Sequence, residues 1–253
     1  MGLNYDGDER GLRREQARSA SGRISYLASG DDDAQRVIFI HGSPGKASAY
    51  AGYLQEPQLE RFEVIAVDRL GYGESAGSGA VVSFKRQAAA IAPLLEERRG
   101  RKPIVIGHSL GVPIAARLAA DFPEQVGGLI LIAGPLDPRL ESPRWYNAAA
   151  GLPPIAGTLA GKLRVSNREM FGARRQLRLL EPLLGGVRCP VTIVHGTADR
   201  LVPFEHVEFA GRAFAGSGDV RVVALDGEDH FIPRTQRELV CELILQMRRR
   251  VGR

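Results

Sequence analysis

The sequence predicts an α/β fold, in which a mostly parallel, doubly wound sheet is covered by helices on both faces. Short runs of apolar residues recur along the 253-residue chain, and helix-like or turn-rich stretches separate them. Strands that are buried on both faces read as continuous apolar runs, and parallel neighbours are joined by helical crossovers. A chain of this length is commonly one domain, and we expect a single core with one insertion.

Six apolar runs predict buried strands, and the alternating stretch 22–28 before them predicts a half-buried one. The buried strands are expected at 37–40, 64–67, 103–106, 128–132, 191–194 and 220–225. Three stretches have the three-to-four-residue apolar spacing of helices, at 82–98, 112–122 and 235–249. Residues 1–21 are polar, and we expect this segment to be irregular or poorly ordered.

The segment 135–186 interrupts the alternation of strands and helices. It is rich in Pro, Gly and Arg and has helical patches at 168–171 and 176–180. A structureless loop of this length is uncommon in a compact domain, so we expect a helical insertion between two parts of the core, 22–134 and 187–250. An insertion after the carboxyl end of a strand lies over the crevice where α/β sheets bind ligands. The insertion is therefore expected to cap the site.

Charge and cysteine content argue against several classes of function. The 34 Lys and Arg exceed the 29 Asp and Glu by a net charge of only +5, and no nucleic-acid-reading motif accompanies the basic run 248–250. Cys189 and Cys241 lie far apart in apolar contexts, which predicts buried thiols and neither a disulfide nor a metal centre.

The first residues are acidic and polar, unlike a secretory signal, and no apolar run is long enough to span a bilayer. We expect a cytoplasmic protein that binds a small-molecule substrate without a cofactor, a metal or a nucleic acid. Whether it forms a homodimer stays open.

The strongest local motif is Gly107-His-Ser-Leu-Gly111, which fits the pattern G-x-S-x-G. It lies between a predicted buried strand and a predicted helix, where such a motif places its serine on a sharp turn. Side chains two residues before and after that serine would collide with the strand and the helix, and glycine avoids the collision. Ser109 is therefore predicted to be a nucleophile.

A serine hydroxyl is a weak nucleophile unless an adjacent base activates it, and the base in turn needs an orienting acid. His230 lies in a glycine-containing loop between the last predicted strand and the last helix, so it is the predicted base. His41, His108 and His195 lie beside turns and are expected to have structural roles. His206 is expected to be a surface or packing residue.

The predicted acid is Asp199, which follows the strand at 191–194 and precedes His230 in the chain order expected for a serine, an acid and a histidine. Asp137, shortly after the strand at 128–132, is the alternative acid. Asp229 is disfavoured because a residue next to a histidine in the chain seldom points at its imidazole.

A tetrahedral oxyanion also needs preorganised donors, each worth about 2.7–4 kcal/mol. One is expected to be the backbone N–H of Leu110, which follows the nucleophile. The loop His41-Gly-Ser-Pro-Gly45 is expected to supply the Ser43 N–H as the other, since Pro44 has no N–H. The Ser43 side chain is a candidate for a further hydrogen bond.

Over residues 22–250 the chain resembles the α/β-hydrolase superfamily. The matching motifs are His41-Gly-Ser-Pro-Gly45, Asp68-Arg-Leu-Gly-Tyr-Gly-Glu-Ser75, Gly107-His-Ser-Leu-Gly111, His195-Gly-Thr-Ala-Asp199 and Gly227-Glu-Asp-His230. The resemblance implies the α/β-hydrolase fold: an eight-stranded sheet with its remaining antiparallel strand in the weakly patterned start, and a helical cap. It also implies a triad of Ser109, Asp199 and His230.

The resemblance implies a serine hydrolase, carboxylesterase-like, that cleaves an ester or related acyl bond of a small, largely apolar substrate through an acyl-enzyme. Haloalkane dehalogenases and epoxide hydrolases of this superfamily have aspartate in place of Ser109, so these two activities are disfavoured for this chain. C–C bond hydrolase, lactonase and perhydrolase remain alternatives, as does a non-catalytic ligand receptor. Trp145 and Tyr146 are expected either to line the substrate pocket or to anchor the cap.

Overall fold

A computed structural model describes residues 7–141 and 161–251 of the chain. They form an eight-stranded sheet in the order β1-β2-β4-β3-β5-β6-β7-β8. The strands are β1 (Arg13–Ser19), β2 (Gly22–Ser29), β3 (Arg36–Ile40), β4 (Glu63–Asp68), β5 (Ile104–His108), β6 (Gly128–Ile132), β7 (Val191–Gly196) and β8 (Val220–Leu225). All neighbours from β4 to β8 pair in parallel, while β2 runs antiparallel to both β1 and β4. The predicted mostly parallel sheet is confirmed.

Helices connect the strands and cover both faces of the sheet. The α-helices of the described residues are α1 (Ala51–Leu54), α2 (Phe84–Ile91), α3 (Gly111–Asp121), α4 (Gly161–Leu180), α5 (His206–Ala213), α6 (Ile232–Thr235) and α7 (Arg237–Val251). Short 3-10 turns occur at Ala47–Tyr50, Pro57–Leu59, Gly73–Ser78, Ala92–Leu94 and Glu181–Gly186. Within the described ranges, no helix combines the length and the apolar character that crossing a bilayer requires.

The sheet separates two hydrophobic clusters because successive side chains of a strand point to opposite faces. In β5, Val105 belongs to one cluster, and Ile104 and Ile106 belong to the other. Cys189 lies in the cluster of Val105 and Cys241 lies in the other cluster. Both are buried free thiols, as predicted. Burial raises the pKa of Cys189 to about 12 and that of Cys241 to about 11.

The expectation of an irregular start is wrong for Arg13–Ser19, which is strand β1. β1 pairs with β2 in a regular antiparallel register and has no partner on its other side. An edge strand is half solvated and tolerates charged side chains, so it lacks the apolar run that indicates a central strand. The eighth strand therefore lies in the weakly patterned start, where the family resemblance implied it.

The structure also corrects the predicted bounds of two helical segments. α2 begins after Ser83, whose side chain accepts a hydrogen bond from the Arg86 N–H, and it ends at Ile91, well short of residue 98. The turn Ala92–Leu94 that follows contains Pro93, which cannot continue an α-helix. In the predicted insertion, the two helical patches are parts of one 20-residue helix, α4. Residues 142–160 lie outside the described ranges, so the domain division remains a prediction.

Close packing at the carboxyl edge of the sheet gives a stability test. A methyl group at Gly111 would collide with the backbone carbonyl of Ile40, whereas one at Gly211 in α5 meets nothing within 4 Å. Gly111→Ala should lower the free energy of unfolding by about 1–3 kcal/mol or more, while Gly211→Ala should raise it by about 0.5–1 kcal/mol. Urea denaturation measures both. Equal effects of the two substitutions would contradict the packing described for the start of α3.

Candidate active site

Ser109 lies on a sharp turn between β5 and α3. Its φ of +53° is in the left-handed region that favours glycine, and its N–H donates to the Ile132 carbonyl at 3.0 Å. A Cβ at Gly107 would lie 2.6 Å from the Gly111 carbonyl oxygen, and one at Gly111 would overlap the Ile40 carbonyl. The steric reason predicted for the two glycines is confirmed. The backbone of the neighbouring strand β3, through Ile40, also excludes a side chain at Gly111.

The peptide between Gly42 and Ser43 lies against Ser109, because a Cβ at Gly42 would be 2.7 Å from the Ser109 Cβ. The Gly42 carbonyl accepts hydrogen bonds from His41 Nδ1 at 2.7 Å and from the Arg69 guanidinium at 2.8 Å. In a trans peptide the C=O and N–H point in opposite directions. The two donors therefore fix the direction of the Ser43 N–H.

Leu110, the other predicted oxyanion donor, immediately precedes α3 (Gly111–Asp121). The first N–H groups of a helix have no intrahelical acceptor, and they lie at the positive end of the helix dipole. The Leu110 amide thus lies at a helix terminus that suits an anion.

His230 and Asp199 are in direct contact. His230 Nδ1 lies 2.8 Å from Asp199 Oδ2, while Asp199 Oδ1 accepts hydrogen bonds from the Leu201 and Val202 N–H groups at 2.8 and 2.9 Å. Burial opposes ionisation of Asp199, but the contacts with His195, His230 and Val202 outweigh it and hold the pKa of this carboxyl below its usual range. Asp199 is therefore a buried carboxylate that orients the His230 ring.

The two rival carboxylates have other partners. Arg139 binds both oxygens of Asp137 through its guanidinium, with contacts from 2.7 to 3.1 Å. Asp229 accepts a hydrogen bond from the Phe231 N–H at 2.8 Å. Of the three acids considered from the sequence, Asp199 is the one that contacts the His230 imidazole in the described structure.

His41 and His108 hold loop backbone, as predicted. His41 Nε2 accepts the Arg69 N–H at 3.1 Å, which leaves its Nδ1 as the donor to the Gly42 carbonyl. His108 Nε2 lies 2.9 Å from the His230 carbonyl oxygen, and because a carbonyl only accepts, the imidazole donates. Burial, followed by the neighbouring His230, lowers the pKa of His108 to about 3. His108 thus supports the loop of the predicted base as a neutral ring.

The two remaining histidines also bind backbone. His195 Nε2 donates to the Val202 carbonyl at 3.0 Å, within the turn that presents Asp199. His206 is buried and its Nδ1 accepts the N–H groups of Leu136 and Asp137 at 3.3 and 3.0 Å. Of the two roles expected for His206, surface or packing, the structure selects packing.

Ser109 and His230 border one cavity of about 430 Å³. Its other walls include Pro44, Tyr50, Tyr72, Leu201 and Phe231, with Lys46 and Lys162 among the polar lining residues. Within the described ranges, Ser109 Oγ makes no hydrogen bond to His230, and such bonds are often long until substrate binds. Trp145 and Tyr146, the predicted pocket residues, lie outside the described residues.

A buried cluster that the sequence did not reveal lies beside this cavity. Arg69 is 0% exposed, and its guanidinium binds Glu169 Oε1 and Oε2 at 2.8 and 3.1 Å. The Tyr72 hydroxyl donates to Glu169 Oε2 at 2.7 Å and contacts the Ser43 hydroxyl at 2.7 Å. Glu169 is the only acidic residue of the basic helix α4, which is the one sequence signal that could have singled it out.

Known proteins resemble this chain in sequence and in fold. A model of the family described as the alpha/beta hydrolase family matches residues 37–243. The dihydrolipoyllysine-residue acetyltransferase component of the acetoin cleaving system of Cupriavidus necator is 32% identical over 111 residues, covering 44% of this chain and 29% of that protein. An esterase of Mycobacterium tuberculosis is 38% identical over 122 residues, covering 47% and 39%. The matched regions are thus less than two thirds of either relative.

Among solved structures, a bacterial membrane phospholipase A superposes with a TM-score of 0.72 at 22% identity, over 96% of this chain and 89% of that one. This likeness is one of fold.

The ion pair of Arg69 and Glu169 gives a second stability test. Glu169→Gln leaves the guanidinium buried without its counter-charge, and breaking a buried pair in this way costs about 3–5 kcal/mol. Glu208→Gln is the matched control, because Glu208 pairs with Arg212 at the surface, where both side chains are largely exposed. Urea denaturation should show a large loss for the first variant and almost none for the second. A small loss at Glu169 would contradict the structural role of the pair.

Proposed function

Because the chain belongs to the alpha/beta hydrolase family, we propose that it is a serine hydrolase cleaving an ester or related acyl bond of a small, largely apolar substrate. The proposal assigns Ser109 as nucleophile, His230 as general base and Asp199 as the orienting acid. The observation that carries it is the 2.8 Å contact between His230 and Asp199 at the cavity that Ser109 borders. A triad is recognised by such geometry and roles.

In the proposed reaction, Asp199 accepts a hydrogen bond from the Nδ1–H of His230, which keeps the proton on Nδ1 and leaves Nε2 free to act as a base. His230 Nε2 takes the Ser109 hydroxyl proton while Oγ bonds to the carbonyl carbon of the substrate. The tetrahedral intermediate collapses to an acyl-enzyme, and His230 gives the proton to the departing alkoxide oxygen. Water, deprotonated by His230, then attacks the acyl carbon, and the proton returns to Ser109 as the acid is released.

The oxyanion of each tetrahedral intermediate is proposed to bind to the N–H groups of Ser43 and Leu110. The support is the Gly42 carbonyl, which the His41 and Arg69 donors hold so that the opposite side of the peptide is available. Donors that are oriented before the reaction need no reorganisation as charge develops, and one of them is worth about 2.7–4 kcal/mol.

A small, largely apolar acyl group suits the cavity of about 430 Å³ and its walls of Leu201, Phe231 and Tyr50. Ligand sites commonly enclose about 300–1,000 Å³ and are mostly apolar with few polar groups. The name of the similar Mycobacterium tuberculosis protein, an esterase, is consistent with an ester as the substrate bond.

Kinetics with short-chain 4-nitrophenyl esters test the assignment. Ser109→Ala should abolish turnover, because no acyl-enzyme can form. Asp199→Asn should lower kcat by about 10⁴-fold, since the imidazole loses its orientation and tautomer. Asp137→Asn is the matched control and should keep kcat within about twofold, because Asp137 is held by Arg139.

Two outcomes would overturn this assignment. Undiminished hydrolysis by Ser109→Ala would exclude that serine as the nucleophile. A loss in Asp137→Asn as large as that in Asp199→Asn would show that the acid has been misassigned.

A further inference from the structure

The Ser43 side chain ends a chain of hydrogen bonds that begins at a buried ion pair. Ser43 is partly exposed at the cavity, and its Oγ lies 2.7 Å from the Tyr72 hydroxyl. That hydroxyl lies 2.7 Å from Glu169 Oε2. Glu169 is bound by Arg69 through both carboxylate oxygens. The direction of each proton in this chain determines what Ser43 offers to a substrate.

The ion pair determines the direction of the hydrogen bond between Tyr72 and Glu169. A guanidinium only donates, so both oxygens of Glu169 act as acceptors toward Arg69, and the carboxylate has no proton to give to Tyr72. Tyr72 must therefore donate to Glu169. Burial, and then the Glu169 charge, raise the pKa of Tyr72, so the phenol keeps the proton that this bond requires.

The direction of the hydrogen bond between Ser43 and Tyr72 follows by elimination. Tyr72 has one hydroxyl proton, and Glu169 accepts it, so the Ser43 hydroxyl must donate to the Tyr72 oxygen. Ser43 likewise has one proton, and Oγ then presents only lone pairs to the cavity. The Ser43 side chain, a candidate hydrogen-bond group from the sequence, is thus an acceptor here. Donor chains that end on a charge polarise each member and strengthen the terminal acceptor.

We propose that Ser43 Oγ accepts a hydrogen bond from the substrate, and that the enzyme therefore prefers acyl groups with an O–H or N–H beside the reacting carbonyl. This inference rests on the proposed function. A hydroxyl on the carbon next to the carbonyl is only three bonds from the oxyanion, so if the Ser43 N–H holds the oxyanion, we expect that hydroxyl to meet the side chain of the same residue. A hydrogen bond of ordinary net strength, about 0.5–1.5 kcal/mol, corresponds to a preference of up to about tenfold.

The test compares 4-nitrophenyl 2-hydroxybutanoate with 4-nitrophenyl 2-methoxybutanoate. The methoxy group also withdraws electrons but cannot donate a hydrogen bond. The measured quantity is the ratio of kcat/KM for the two esters, divided by the ratio of their hydroxide-catalysed rates. Both esters are assayed on one preparation, so any loss of folded protein cancels from the ratio.

The wild type is expected to favour the hydroxy ester by about two- to tenfold. In Ser43→Ala the corrected ratio should fall toward one, because the acceptor is gone. In Tyr72→Phe it should also fall, since Ser43 loses its acceptor and its proton can turn toward the cavity. Tyr26→Phe is the matched control and should keep the wild-type ratio. The Tyr26 hydroxyl donates to Glu15 at 2.8 Å, away from the cavity.

Two results would overturn the proposal while leaving the serine hydrolase intact. One is a wild-type ratio of one. The other is an equal loss on both esters in Ser43→Ala, which would mean that the hydroxyl donates to the oxyanion. Undiminished turnover of both esters by Ser109→Ala would instead overturn the proposed function itself.

Discussion

The site depends on one steric constraint, which is the close approach of three backbone segments around Ser109. The serine has a φ of +53°, and a Cβ at Gly42, Gly107 or Gly111 would collide with the serine or with neighbouring backbone. Because no side chain fits between these segments, the peptide after Gly42 and the start of α3 both lie beside Ser109. The same packing thus exposes the hydroxyl and places two backbone amides near it.

The second constraint is electrostatic and lies one layer farther from the cavity. Arg69 donates to the Gly42 carbonyl and also pairs with Glu169 of α4. The arrangement of the loop that contains Ser43 is therefore coupled to the docking of α4. A buried ion pair contributes little to the free energy of unfolding, because desolvation offsets the attraction between the charges. Removing one partner is nevertheless strongly destabilising, because it leaves the other charge buried and unpaired. We infer that its main effect is positional.

Local patterns were enough to predict the central strands and the motif residues, because each depends on a few neighbouring side chains. β1 was missed because an edge strand does not need an apolar run. Glu169 was missed because an acid on a basic helix normally faces solvent, and only the tertiary packing places it against Arg69. Chain order already favoured Asp199 over Asp137, and the structure adds what the sequence could not give, namely that Arg139 binds the carboxylate of Asp137 while Asp199 contacts His230.

The central claim is that one serine forms the covalent bond with the substrate. Reaction with a fluorophosphonate, followed by peptide mass mapping, tests this directly, because the phosphonyl group stays on the oxygen that attacks it. We predict a single adduct per chain, located on the peptide that contains Ser109, and a much slower reaction in Asp199→Asn. An adduct on another serine, Ser43 included, or no adduct at all, would contradict the account.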